Sequence, residues 1–199
     1  MNVNDVSITT PIPVENLNEA IFSKQKELVD KYKIIEGIEW AFQYPSQNIS
    51  TSSGQKLIKD FLWRTTEEIC EAYEAKDTPA HLKEELIDAI HFIVEGAIIS
   101  DIGPNDLAEI KDILLTEPED FDADFFYPIY KMGLVGNTLK NKTWKQTQVK
   151  TDKAKFKVLY KEAWVELIRL CKCFMTTEEI GEYYLKKNAV NNFRIESEY

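Results

Sequence analysis

Positive charge is scarce in this chain, cysteine scarcer still, and no part of it stays apolar for long. Lys and Arg together number 24 against 34 Asp and Glu, giving a formal net charge of −10 and an isoelectric point near 4.8. A surface so short of cations is a poor sequence-independent grip on a nucleic-acid backbone, because that binding rests on neutralised phosphates. The three cysteines, Cys70, Cys171 and Cys173, are too few and too badly spaced for a disulfide framework, which points to a reducing cytoplasm. Cys171-x-Cys173 has no second pair with which to complete a metal site. No stretch approaches 18 uninterrupted apolar residues, and the opening MNVNDVSITTPIPVEN lacks the charge and apolar centre of a signal peptide. The expectation is therefore a cytoplasmic protein that meets neither nucleic acid nor membrane. Internal repeats and strand-rich regions are also missing, which leaves the all-α class and a helical bundle.

What is present suffices for one hydrophobic core: 199 residues, of which 44% are hydrophobic. The expected organisation is a single domain over 1–199, with principal helices in 16–100 and 154–199. Residues 101–153 read as an insertion, with a mobile subdomain as one form it can take. Leu17, Ile21, Leu28, Tyr32 and Ile35 recur at helical spacing and predict a helix over 16–37. Breaker residues between Trp40 and Gly54 predict a loop. Helices over 55–75 and 79–100 follow, joined so briefly that they should lie antiparallel. DIGPND breaks the chain at 101–106 and a short helix runs to about Leu115. TEPEDFDADFFYP, acidic and proline-bounded, predicts a loop. A further helix is expected over 154–174, and Thr176 with Glu179 forms a capping box for the last one.

The most informative stretch runs from Trp63 to Glu95, where two acid pairs follow one another. Glu68 and Glu71 stand in RTTEEICEAYEAKD, and Glu85 and Asp88 in HLKEELIDAIHF. Each pair has i, i+3 spacing, so on a helix its carboxylates share a face. At roughly 100° per residue, Glu68 falls in the apolar stripe of Leu57, Phe61, Thr65, Ala72 and Ala75, with Glu71 on its border. Glu85 edges the stripe of the second helix, while Glu84, His91 and Glu95 are expected on its outer polar face. A carboxylate facing a core is costly unless paired or bound to a metal, and four converging acids suit Mg²⁺ or Mn²⁺. The competing reading is a solvated charged face laced by i, i+4 pairs. It accounts for Glu67, Glu74 and Glu84 but not for Glu68.

Three other groups have two readings each. Gln25 falls in the first helix's apolar stripe, either as an edge amide reaching solvent or as one reading the edge of a base. Lys140, Lys142 and Lys145 around Trp144 are either a solvated cluster or a phosphate and base contact. On the last helix Tyr183, Tyr184, Lys187, Asn191 and Arg194 share a face, either because cations suit a helix C-terminus or as a phosphate clamp.

Glu68-x-x-Glu71 followed by Glu85-x-x-Asp88 resembles the paired acid motifs of the all-α nucleoside-triphosphate pyrophosphohydrolases, which include MazG-like enzymes. ELIDAIHF and the tail Tyr184, Lys187, Asn188, Asn191, Arg194 and Tyr199 resemble more closely the dimeric dUTPases and phage dCTP/dUTP pyrophosphatases. That resemblance implies hydrolysis between the α and β phosphates of a deoxynucleoside triphosphate, dUTP first and dCTP second, by a homodimer. It implies Mg²⁺ or Mn²⁺ held by Glu68, Glu71, Glu85 and Asp88, with Glu68 also taking the proton of the attacking water. Lys187 and Arg194 would meet the β and γ phosphates, Asn191 would orient the nucleotide, and His91 would line the deoxyribose pocket. Gln25 would address the base and Tyr199 would close over the substrate. The chain departs from that pattern at Glu198, where the family has glycine, at Ile195, and at Leu28, where a base-reading asparagine is expected. A different reading is a non-catalytic helical interaction protein that uses its acidic surface for partners.

Overall fold

The computed structural model describes residues 3–8, 11–115, 120–141 and 150–197. Among them there is no strand, and the chain is an all-α bundle. Its helices are α1 (Leu17–Ile35), α2 (Glu39–Gln43), α3 (Pro45–Asn48), α4 (Ser52–Glu74), α5 (Pro79–Ile99), α6 (Phe121–Thr138), α7 (Lys153–Lys172) and α8 (Thr177–Glu196).

α5 is the axis of the bundle. Leu82, Leu86, Ile87, Ala89, Ile90, Ile93, Val94 and Ala97 are all buried, so the helix is covered on nearly every side. α4 lies along it as its antiparallel neighbour, α1 and α8 pack on it and on each other, and α7 closes another flank. The turn between α4 and α5 is only Ala75 to Thr78, and Pro79 opens α5 at its first position, where a missing N–H costs nothing. Trp164, Tyr160, Phe61 and Phe156 fill the centre. The Tyr160 hydroxyl donates to the Ile93 carbonyl at 2.6 Å, which satisfies its one polar atom in the core.

Helix starts follow local chemistry. Thr51, Asp120 and Asp152 each accept a backbone N–H as N-caps of α4, α6 and α7. Thr176 and Glu179 make the expected reciprocal box at the start of α8, at 3.2 and 2.8 Å.

Three expectations are corrected. The stretch between Trp40 and Gly54 holds the short helices α2 and α3, tied to the bundle because buried Asn48 donates to the Ala41 and Ile99 carbonyls at 2.7 and 2.8 Å. The acidic aromatic stretch after residue 120 is the start of α6, not a loop. Asp120 caps it, Asp122 and Asp124 suit its dipole, and Phe125, Pro128, Met132 and Val135 form its buried face. Pro128, the residue that suggested a break, costs one backbone hydrogen bond that this buried face offsets. The core residues of α6 join the same cluster as those of α4, α5 and α7. The short helix expected before Leu115 is two single 3-10 turns, Pro104–Asp106 and Ile110–Asp112. Among the described residues no helix is long and apolar enough to cross a membrane.

Candidate active site

The antiparallel packing of α4 on α5 brings acids from both helices into one place. Glu68, Glu85 and Asp88 each offer a carboxylate oxygen, and these atoms all lie within 4.8 Å of one another. Glu71, one turn further along α4, is exposed and stands outside that group. Crowding leaves its mark on proton affinity. Burial, then the Asp88 charge and hydrogen bonding with Glu85, push Glu68 up to about 8. Burial pushes Asp88 up to about 6, against the opposing pull of Lys187. His81, on the rim, places Nδ1 3.0 Å from Glu85 Oε1.

Facing the acids is the cationic stripe of α8. Lys187, buried, sets Nζ 2.5 Å from Asp88 Oδ2 and 3.2 Å from Glu84 Oε1. Burial works against its charge, but Asp88 and Glu84 outweigh it and keep the ammonium protonated. Asn191 is half-buried and Arg194 exposed, and both line the same cavity of about 270 Å³ as Lys187, Glu68 and Asp88. Tyr199 lies outside the described residues, as do Lys142, Trp144 and Lys145. Lys140 donates to the Asn137 carbonyl at 2.8 Å, near the end of α6.

The cavity extends inward to a polar network that periodicity misplaced. Gln25 is buried, and so are His91 and Glu95, which had been expected on an outer polar face of α5. Neighbouring helices cover α5 on nearly every side, so His91 and Glu95 lie within the bundle and not on a solvent face. Gln25 Oε1 accepts from the Tyr184 hydroxyl at 2.7 Å and lies 2.7 Å from His91 Nδ1, while Gln25 Nε2 donates to Glu95 Oε2 at 3.1 Å. Because a carbonyl oxygen only accepts, His91 carries its proton on Nδ1 and leaves Nε2 a bare acceptor. Among the described residues that atom has no partner, and neither has Glu95 Oε1. Burial, helped by the Lys187 charge, pushes His91 down to about 3, so the ring is neutral and stacks on Tyr184 with centroids 4.1 Å apart. Glu95 is pushed up to about 7, by burial and then by Glu36.

Sequence reasoning missed the cavity's outer wall. Arg64 forks onto Glu36 at 3.1 and 3.2 Å, binds Asp60 at 3.0 Å, and lies over the Phe61 and Phe92 rings. Tyr32 lines the cavity beside them. Arg64 stands one helical turn before Glu68 and Glu95 one turn after His91, so their i, i+4 spacing from candidates already chosen was the available signal.

The family model described as dUTPase matches residues 71–199, about two thirds of the chain. The chain belongs to the dUTPase family. No curated protein and no solved structure matches it. For this dUTPase-family chain the matched span contains Glu71, Glu85, Asp88, His91, Lys187, Asn191 and Arg194, so family and cavity coincide on α5 and α8. Gln25 and Glu68 precede the match, and only the geometry joins them to it. The family supports a hydrolase of nucleoside triphosphates. Three carboxylates that each bring an oxygen within 4.8 Å of the others are the donor set of a hard divalent cation, so the residues fit such an ion.

Proposed function

We propose that the chain is a pyrophosphohydrolase of deoxynucleoside triphosphates, cleaving dUTP to dUMP and pyrophosphate. The observation that carries this reading is the single cavity in which the acids of α4 and α5 face Lys187, Asn191 and Arg194 of α8. Glu68, Glu85 and Asp88 would hold Mg²⁺ or Mn²⁺, with exposed Glu71 drawn in as a further ligand. An ion held there would supply positive charge to the phosphoryl oxygens as negative charge builds on them. Water attacks the α phosphorus, the bond to the bridging oxygen breaks, and pyrophosphate leaves. Glu68, packed against Glu85 and Asp88 at the acid cluster, takes the proton that the water loses. Lys187 exchanges part of its contact with Asp88 for the β and γ phosphates, and Arg194 at the mouth closes on the same groups. Neutral His91 stands beside the sugar.

dCTP is the second substrate reading, favoured by the unpartnered acceptors at the cavity's inner end. A purely binding role for the acids fits less well, because a partner-docking charge face would be solvated and these carboxylates are packed against one another. The exposed apolar side chains Ile34, Ile35, Trp40 and Trp63 support a homodimer, which light scattering on the purified chain would test.

The experiment is pyrophosphate release from a panel of deoxynucleotides with and without Mg²⁺. Release from a pyrimidine triphosphate that stops on chelation is expected. Failure to hydrolyse any of them in Mg²⁺ or Mn²⁺ overturns the proposal.

A further inference from the structure

We propose that Arg64 reads the carbonyl oxygen at the 4-position of the base and so selects uracil over cytosine. The inference rests on the reading of the cavity as a deoxynucleotide site, and it concerns a residue that neither the acid motifs nor the tail motif includes.

α4 and α5 are antiparallel, so positions earlier on α4 meet positions later on α5. Glu68 meets Asp88. Arg64, roughly 6 Å back along α4 at a rise of about 1.5 Å per residue, lies over Phe92, its guanidinium carbon 5.7 Å from the ring centroid. Burial and then Glu36 raise the Glu95 carboxyl, while the Gln25 amide and the Arg64 charge oppose them, so the guanidinium is near enough to Glu95 to be felt. Arg64 therefore stands past His91, at the end of the cavity away from the acids. With the phosphates at Asp88 and Lys187 and the sugar at His91, that end is left for the base. The 2-oxygen of a pyrimidine adjoins the bond to the sugar, whereas the 4-oxygen lies across the ring from it and reaches furthest toward Arg64.

The guanidinium has donors to spare. It carries five N–H groups and no acceptor. Nε donates to Asp60 at 3.0 Å, and Nη1 and Nη2 donate to Glu36 at 3.1 and 3.2 Å. One N–H on each terminal nitrogen is then free among the described residues. The side chain is 31% exposed and forms part of the cavity wall, so it is open to a ligand and not sealed in the core. Two carboxylates and the Phe61 and Phe92 rings hold the group in place before any ligand arrives, which lowers the cost of ordering it on binding. Uracil brings a carbonyl acceptor at position 4 and cytosine an amino donor. The first completes a charge-assisted hydrogen bond with Arg64, and the second sets donor against donor. A site built to make such a bond rejects the analogue that cannot complete it.

The test compares Arg64→Met and Arg64→Leu with the wild-type chain, using kcat/KM for dUTP and dCTP under Mg²⁺ and calorimetric binding of dUMP, dCMP and 4-thio-dUMP. Methionine keeps an unbranched stem over the rings and loses every donor, and leucine is a second truncation. The wild-type chain should favour dUTP, and the dUTP-to-dCTP ratio, in which losses of folded protein cancel, should fall about tenfold or more in both variants, the scale of one hydrogen bond to a charged group. The dUMP-to-dCMP binding ratio should fall with it. Equal weakening of dUMP and dCMP would make Arg64 a phosphate contact and overturn the inference. In 4-thio-dUMP a poor acceptor replaces the 4-oxygen, so a wild-type chain that binds it as tightly as dUMP overturns the inference whatever the variants do to folding. Wild-type hydrolysis that favours dCTP, or ratios that do not move, sink this assignment alone. Absence of hydrolysis in every form sinks the pyrophosphohydrolase reading, and the monophosphate ratios then decide Arg64 separately; if no monophosphate binds, the Arg64 assignment is also overturned.

Discussion

Lys187 Nζ lies 2.5 Å from Asp88 Oδ2, so the acid cluster already contains one cation supplied by the chain itself. Lysine and a divalent ion are then competing neutralisers of the same carboxylate. Replacing Lys187 by Met removes one partner of a buried pair, which costs on the order of 3 kcal/mol when nothing takes its place. The metal-free variant is expected to melt at lower temperature than wild type. By calorimetry it should bind Mg²⁺ more tightly, because Asp88 no longer has a competitor, and its KM for triphosphate should rise. Weaker Mg²⁺ binding in the variant would show that Lys187 organises the acids instead of competing for them.

The acids also give metal-free stability a dependence on pH. Glu68, Glu95 and Asp88 have folded values of about 8, 7 and 6, all above the ordinary carboxyl value near 4. In that window the folded chain binds more protons than the unfolded one, so rising pH destabilises it. His91, pushed down to about 3 from 6.5, acts in the opposite sense, losing stability as pH falls below 6.5. The opposing contributions overlap below 6.5, and only the carboxylates act above it. The melting temperature in chelator should therefore decline between pH 6.5 and 8, and Glu68→Gln should flatten that decline. Added Mg²⁺ should raise the melting temperature more at pH 8 than at pH 6.5. A chelated protein as stable at pH 8 as at 6.5 would remove the basis for the crowded-acid description.

Substitution of the acids themselves separates ligands from bystanders. Glu68→Gln and Asp88→Asn keep shape and hydrogen bonding but remove charge, and each should abolish turnover while circular dichroism stays helical. Glu71 is exposed and outside the trio, so Glu71→Gln reports whether it joins on metal binding. The proposal expects at least a tenfold loss of kcat in that variant. Activity near wild type for Glu68→Gln would dismiss the metal cage, whereas the same result for Glu71→Gln would only reduce it to three residues.

The acid pairs and the stripe on α8 were legible because each rests on i, i+3 or i+4 spacing within one helix, which the sequence records directly. What the sequence does not record is which faces tertiary packing leaves open. The phase of α5 alone puts His91 and Glu95 on a solvent face, yet that helix is covered on nearly every side, so the same phase aims them into a cavity. Gln25 is buried, which removes its reading as an edge amide reaching solvent, and its amide holds Tyr184, His91 and Glu95 together. Arg64 escaped notice because Asp60 and Phe61 are ordinary helix neighbours, while the partners that turn it into a cavity wall, Glu36 and Phe92, come from segments distant in sequence. Proline at 128 misled for a local reason: a break signal weighed more than the apolar recurrence of Phe125, Met132 and Val135 on either side of it.

Arg194 offers the clearest separation of binding from chemistry. Among the described residues it forms no ion pair, while Lys187 on the same face is bound to Glu84 and Asp88. It is exposed at the cavity mouth, so its removal neither opens the core nor strands a buried charge. Arg194→Ala should accordingly leave the melting temperature within a degree or two of wild type, as surface substitutions usually do. Loss of a charge-assisted phosphate contact is worth roughly 1.5–3 kcal/mol, which predicts a ten- to hundredfold rise in KM for the triphosphate. Binding of the monophosphate product should change much less, since it lacks the β and γ groups that the guanidinium meets. The measurement is a pair of titrations, one with a non-hydrolysable triphosphate analogue and one with the monophosphate. Equal weakening of both would move Arg194 from the outer phosphates to the α phosphate or the base, and no weakening of either would take it out of the site.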